Sequence, residues 1–132
     1  MRNLYTKNNP MKTYNNIFAN KNRILFVTAH PDDVDIFFGG TLRLLNNDGK
    51  ETFVCVVSSG ARGSRGNPVS EEVLTKTRKV EQLNGLKILG TKKDHFISLN
   101  YKDGEVENNL ELISKISKII REFRPEIGRA HV

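Results

Sequence analysis

The stretch His30-Pro31-Asp32-Asp33 places one imidazole and two carboxylates within four residues. Imidazole nitrogen and carboxylate oxygen are ordinary zinc ligands, and a catalytic zinc takes three such groups while leaving one position for water. His30 and Asp33, three apart across a rigid proline, are spaced to point at one metal. Asp32, facing outward between them, is placed to take a proton from water whose pKa a metal lowers from about 15.7 towards about 7. Gly39 and Gly40 follow, and would let the first helical turn lie close to the site or to a substrate. The same residues also have a purely structural reading. Pro-Asp-Asp after a strand starts a helix well, with Asp32 or Asp33 as the cap, and His-x-x-Asp recurs by chance. Spacing alone leaves both readings open.

The elements around this stretch decide where it would sit. Residues 24–28 (ILFVT) form a continuous apolar run, as expected of a strand buried on both faces. Helix-compatible residues run from about Asp35 to Asn47, with Gly49 as a stop. Residues 52–58 (TFVCVVS) are a second apolar strand, followed by a loop containing Gly60, Gly63, Gly66 and Pro68. Ser70 is a good N-cap, and Val73, Thr77, Val80, Leu83 or Asn84, and Lys87 or Ile88 keep helical spacing up to Gly90. A shorter strand spans 95–99 (HFISL), and Leu110, Ile113, Ile116, Ile120 and Phe123 trace one face of a last helix before Pro125. This alternation predicts an α/β fold, a Rossmann-like parallel sheet with flanking helices, joined by right-handed crossovers. In such a sheet ligands bind at the carboxyl ends of the strands, where the His-Pro-Asp-Asp stretch lies.

Composition narrows the function classes. At 132 residues and 15.0 kDa, with 37% hydrophobic residues and mean hydropathy −0.47, the chain has the size of one domain. No apolar run approaches the roughly 20 residues a membrane helix needs. The net charge of +6 invites a nucleic-acid reading, but the excess sits at the ends. Arg2, Lys7, Lys12, Lys21, Arg23 and Arg129 account for it, and the other basic residues balance the 15 acidic ones. The basic footprint that nucleic-acid binding requires is missing. The lone Cys55 excludes an internal disulfide and a cysteine-rich metal site, and fits a reducing, cytoplasmic setting. Residues 1–22 are expected to be a flexible basic arm, the alternative being a short amphipathic anchor around Tyr14, Ile17 and Phe18.

The string AHPDDVDIFFGGTL, after an apolar strand, resembles the signature of the PIG-L/LmbE-like deacetylases. Further pieces resemble that family in order: SSGARGSRG after the second strand, Arg78 and Glu81 in the next helix, Leu89-Gly90, Asp103-Gly104, and Arg124-Pro125-Glu126. The resemblance spans residues 24–127 and implies zinc-dependent removal of an N-acetyl group from a glucosamine-containing or similar small substrate. It implies that His30 and Asp33 are metal ligands and that Asp32 is the catalytic base. It further implies that Arg78 lies on the substrate side of the pocket, with Asp103 lining it. For these two the structural alternatives are a solvated helix arginine and an Asp-Gly turn. Zinc is the implied cofactor, although His/carboxylate sites accept other divalent ions. Val34 stands where the family often has Glu.

One departure is larger. The family takes its third metal ligand, and a histidine that protonates the leaving amine, from a His-rich motif after the fourth strand. No such motif occurs here; His95 falls in a strand and reads as structural, and the surroundings of His131 do not match. The domain is therefore expected to be truncated after its third helix, to hold zinc poorly and to turn over little substrate. A missing fourth strand would leave an unpaired edge on the first strand, beside the site, and so favour self-association. Residues 126–132 (EIGRAHV) back-translate to a string containing a common sequencing-adapter sequence, so residues 128–132 are expected to be a non-native tail. Two rival classes stand beside the hydrolase. A Rossmann-type nucleotide- or cofactor-binding domain would need a G-x-G-x-x-G after the first strand, which is absent. A binding module would use the basic arm on an acidic partner.

Overall fold

The two longest apolar runs are buried along nearly their whole length, which a sheet covered on both faces requires. A computed structural model of the chain describes residues 10–63, 66 and 69–131. Its strands are β1 (Arg23–Thr28), β2 (Glu51–Ser58), β3 (Phe96–Tyr101) and β4 (Ile127–His131). The helices are α1 (Pro10–Phe18), α2 (Gly39–Asn47), α3 (Glu71–Leu89) and α4 (Leu110–Phe123). All pairings are parallel, in the order β3-β2-β1-β4. Alternate residues feed two cores. Ile24, Phe26, Val54 and Val56 pack with Val34, Leu42, Leu45 and Leu86 on one face, and Leu25, Phe53 and Cys55 pack with Ile119 on the other. Burial pushes the Cys55 thiol up to about 11, so it is inert as a nucleophile. The caps match the sequence signals: Ser70 Oγ accepts from the Val73 amide, and Gly90 closes α3 at φ 95°.

Three expectations are corrected. The edge of β1 is not unpaired, because Ile127–His131 pairs with it in the register Ile24↔Ile127 to Thr28↔His131. Arg124, at φ 47°, turns the chain out of α4, and the Glu126 carboxylate then accepts the backbone N–H groups of Asn22 and Arg23. Self-association through a bare β1 edge loses its basis. Residues 10–18 are a helix rather than a flexible arm; residues 1–9 lie outside the described residues. Tyr14 and Phe18 pack on the first core, and Lys50 Nζ ties the helix end by donating to the carbonyls of Phe18 (2.8 Å) and Lys21 (2.7 Å).

The third correction concerns helix phase. Val73, Val80 and Ile88 are exposed, while Gln82 and Leu86 of α3 are buried. In α4 the buried residue is Ile119, with Phe123 packed beside it, and Leu110 is 84% exposed. Apolar residues cover a wide arc of α4, so periodicity fixes a helix there but not which edge of the arc faces inward. In α3 the inward stripe carries polar residues, and an apolar pattern cannot reveal it.

Candidate metal and active site

The His-Pro-Asp-Asp stretch lies at the carboxyl end of β1, as the parallel topology dictates. The turn is closed by its own atoms: the His30 amide donates to Asp33 Oδ2 (2.9 Å) and the Asp33 amide donates to the His30 carbonyl (3.3 Å). Asp33 has helical dihedrals and makes no capping hydrogen bond, so its carboxylate is committed to His30 rather than to a helix start. His30 Nδ1 stands 3.8 Å from Asp33 Oδ2. The imidazole is about half exposed, and Asp33 is nearly buried.

This donor pair fits a divalent cation. Nitrogen and oxygen bonds of about 2.0–2.2 Å let one ion bridge donors this far apart, and Asp33 keeps lone pairs beyond the one its amide contact uses. Among the described residues, no group of three or more His, Cys, Asp or Glu could hold a metal. His95 sits in the short turn Lys93–His95 ahead of β3, at the opposite end of the strands. The register places residue 131 beside Thr28 at the site end, but its side chain lies outside the described residues.

Asp32 is exposed, its carboxylate makes no hydrogen bond among the described residues, and it lines a 340 Å³ pocket with His30, Arg62, Arg78 and Asp103. The Arg78 side chain also makes no hydrogen bond or ion pair among the described residues. Its guanidinium lies against Gly63, where a Cβ would meet Nη2 at 3.2 Å. Gly60, at φ 72°, lets the loop pass over Pro31, which a Cβ would strike at 3.1 Å. Of the glycines the sequence singles out, those that permit close approach to Pro31 and Arg78 are therefore Gly60 and Gly63, not Gly39 and Gly40. Gly40 faces open space, and a Cβ on Gly39 would meet only ordinary contacts.

Asp103 is committed inside the protein. Its Oδ1 accepts the Gly60 amide (3.0 Å) and its Oδ2 the Arg62 amide (2.9 Å), which fastens the glycine loop to the β3–α4 connection. Burial pushes this carboxyl up, but the Arg62 amide, the Ser58 hydroxyl and the Gly60 amide outweigh it and hold the pKa below the ordinary value. Asp35 shifts the other way. Burial raises it, the Gln82 amide pulls it back, and the nearby Asp32 charge adds to the rise. Sequence reasoning missed Arg62, Gln82 and Asp35 at this end of the sheet. The visible signal was the glycine spacing, which marks a loop packed against something, without saying what.

With the geometry in place, comparison with known proteins is decisive. Residues 25–131 match the family described as PIG-L: GlcNAc-PI de-N-acetylase. The chain belongs to the PIG-L family. A diacetylchitobiose deacetylase of Thermococcus kodakarensis is 32% identical over 113 residues, covering 86% of this chain and 42% of the relative. A Bacillus cereus protein named probable N-acetyl-alpha-D-glucosaminyl L-malate deacetylase 2 is 30% identical over 105 residues, covering 77% of this chain and 48% of the relative. Among solved structures, the N,N'-diacetylchitobiose deacetylase from Pyrococcus horikoshii superposes with a TM-score of 0.80 at 30% identity, covering 85% of this chain and 42% of that one. The chain thus spans under half the length of these PIG-L relatives. No helix among the described residues is long and apolar enough to cross a membrane.

Proposed function

We propose that residues 23–127 are the N-terminal part of a cytoplasmic, metal-dependent N-deacetylase acting on an N-acetylated, glucosamine-containing sugar or a similar small molecule. The observation that carries this reading is the convergence of His30 Nδ1 and Asp33 Oδ2 to 3.8 Å at the carboxyl end of β1, beside a pocket that Asp32 and Arg78 share. Deacetylase names on two relatives support the reaction class.

His30 and Asp33 would hold the metal, with zinc the first choice and other divalent ions compatible with the donor set. When bound, such an ion polarises a carbonyl and makes water acidic enough to attack near neutral pH. Asp32 Oδ accepts the proton of the attacking water, whose oxygen adds to the acetyl carbon. The C–N bond then breaks, giving acetate and an amine that needs a proton in return. Arg78, with its guanidinium in the pocket wall, binds and orients the sugar. Asp103 acts one step removed, by holding the Gly60–Arg62 segment that closes the pocket.

The test is acetate release from N-acetylated chito-oligosaccharides by the full-length protein. Asp32→Ala is expected to cost about 10²–10⁴-fold in kcat, the worth of a positioned general base, with unfolding unchanged. An active Asp32→Ala enzyme would overturn the reading. The 132-residue chain alone, with two donors on the described residues, is expected to show little or no turnover, so robust turnover by it would overturn the two-donor account.

A further inference from the structure

We propose that Asp35, seated against Gly85 and held by Gln82, is a positioning residue that locks the His30–Asp33 turn onto α3, the helix that presents Arg78. The inference rests on the deacetylase reading but concerns residues to which that reading gives no role. The chain leaves Asp33 through a single π-helical turn, Val34–Phe38, a widened geometry that recurs at functional sites. Val34 is fully buried and anchors one side of this turn. Asp35 reaches from it to α3, where its Oδ2 accepts a hydrogen bond from Gln82 Nε2 at 3.2 Å.

The fit depends on a missing side chain. A Cβ built on Gly85 would stand 3.1 Å from Asp35 Oδ1, 3.3 Å from Oδ2 and 3.4 Å from Cγ. The carboxylate occupies the space that any other residue at 85 would fill. A glycine inside a helix weakens it, so Gly85 in the 19-residue α3 carries a cost that something must offset. Gln82 tells the same story: it is 2% exposed, and its Oε1 is buried without a partner among the described residues. Packing alone would favour an apolar pair here, since a buried amide with an orphan oxygen is a poor way to join two elements.

What the arrangement does achieve is registry. Asp35, Gln82, Asp32 and Arg78 line one 150 Å³ cleft, which shares Asp32 and Arg78 with the larger pocket. Fixing Asp35 on α3 therefore sets the distance between the turn carrying the base and the helix carrying the substrate arginine. An apolar contact would allow sliding, whereas a hydrogen bond seated over a glycine does not.

The experiment is a double-mutant cycle on the full-length protein with Asp35→Ala, Gly85→Ala and the pair, read by kcat and KM separately and by amide exchange in the turn. Asp35→Ala is expected to lower kcat about 10- to 100-fold with KM within about 3-fold, the scale of a misplaced catalytic group. Gly85→Ala is expected to do the same when Asp35 is present and to add nothing once it is gone. Asp35→Asn should return kcat to within about 3-fold, because its amide can pair with both Gln82 atoms. Exchange at the His30, Asp33 and Ile36 amides, whose bonds close the turn, should quicken about 10-fold in Asp35→Ala while the rest of the sheet is unchanged. Additive effects of Asp35→Ala and Gly85→Ala, or unchanged exchange at those three amides, would overturn the proposal. The exchange arm needs no turnover, so it decides the latch even if the wild-type protein hydrolyses no amide, which would defeat the deacetylase reading alone.

Discussion

The two ends of the sheet each carry a histidine, and the protein treats them oppositely. At the amino end, His95 stacks on Phe53 at 4.2 Å and its Nδ1 lies 3.2 Å from the Thr52 carbonyl. Around it Asn46, Thr52 and Thr91 bond to one another, with Thr52 Oγ1 donating to Asn46 Oδ1 and accepting from Thr91 Oγ1, both at 2.8 Å. Polar groups there are consumed by the fold. At the carboxyl end, His30 is about half exposed with a carboxylate beside it, and neither the Asp32 carboxylate nor the Arg78 guanidinium makes a hydrogen bond among the described residues. Unsatisfied groups converging on a cleft wait for a ligand, whereas satisfied ones hold elements together. Residue type is the same at both ends; the state of its partners separates chemistry from structure.

The largest expected effect breaks this comparison directly. His30→Ala in the full-length protein should weaken zinc binding by about 100-fold or more, since even outer-shell losses cost about 10–100-fold. Its unfolding free energy, measured without metal, should hardly move. His95→Ala should reverse the pattern. Metal affinity stays, while the lost stacking and hydrogen bond destabilise by about 1–2 kcal/mol. Calorimetric zinc titration and urea unfolding on the same two variants check both halves. Equal loss of metal affinity in the two would erase the distinction between the ends.

This contrast also explains what the sequence made legible. Continuous apolar runs fixed β1 and β2 and hence the parallel sheet, because burial on two faces leaves no other pattern. The strand–turn location of His30, Asp32 and Asp33 followed from topology, and their order followed the family signature. The inner stripe of α3 was not legible, because Arg78 and Gln82 turn inward for the sake of the cleft and break the apolar period. Asp103 read equally well as a turn or as a pocket residue, and the structure makes it both, with each oxygen spent on a loop amide. That a fourth strand pairs with β1 was legible from topology, but that residues 127–131 (IGRAH) supply it was not, since the run is short and interrupted by Gly128 and Arg129. Helix α1 was obscured by the asparagines between Tyr14 and Phe18, which lie away from the core.

A smaller effect sharpens the comparison with pH. The Asp103 carboxyl titrates below its ordinary value of 3.8, so it binds protons less readily folded than unfolded. Its clamp on the glycine loop is therefore fully present above about pH 4 and is lost as pH falls through the lower, folded value. Amide resonances of Gly60 and Arg62 should shift together with this transition. Asp103→Asn, which keeps the shape but cannot ionise, should loosen the loop at neutral pH and abolish the acid step. If the loop amides titrate instead with the ordinary carboxylate midpoint, the hydrogen bonds are not holding the charge.

The opposite end should fail from the alkaline side. Tyr14 donates to Asp48 Oδ2 at 2.7 Å, and burial, then this hydrogen bond, then the Asp48 charge push its hydroxyl from 10.0 up to about 12. Because the folded state holds this proton more tightly, the docking of α1 is intact below about pH 10 and weakens as pH climbs towards about 12. Phenolate absorbance should show one tyrosine titrating near 12, and Tyr14→Phe should abolish that step. Burial is the largest cause, so Asp48→Asn should bring the midpoint down only part of the way. A full return to 10 would mean that the anion alone raised it, and that Tyr14 does not pack on the core beside Phe18 as described.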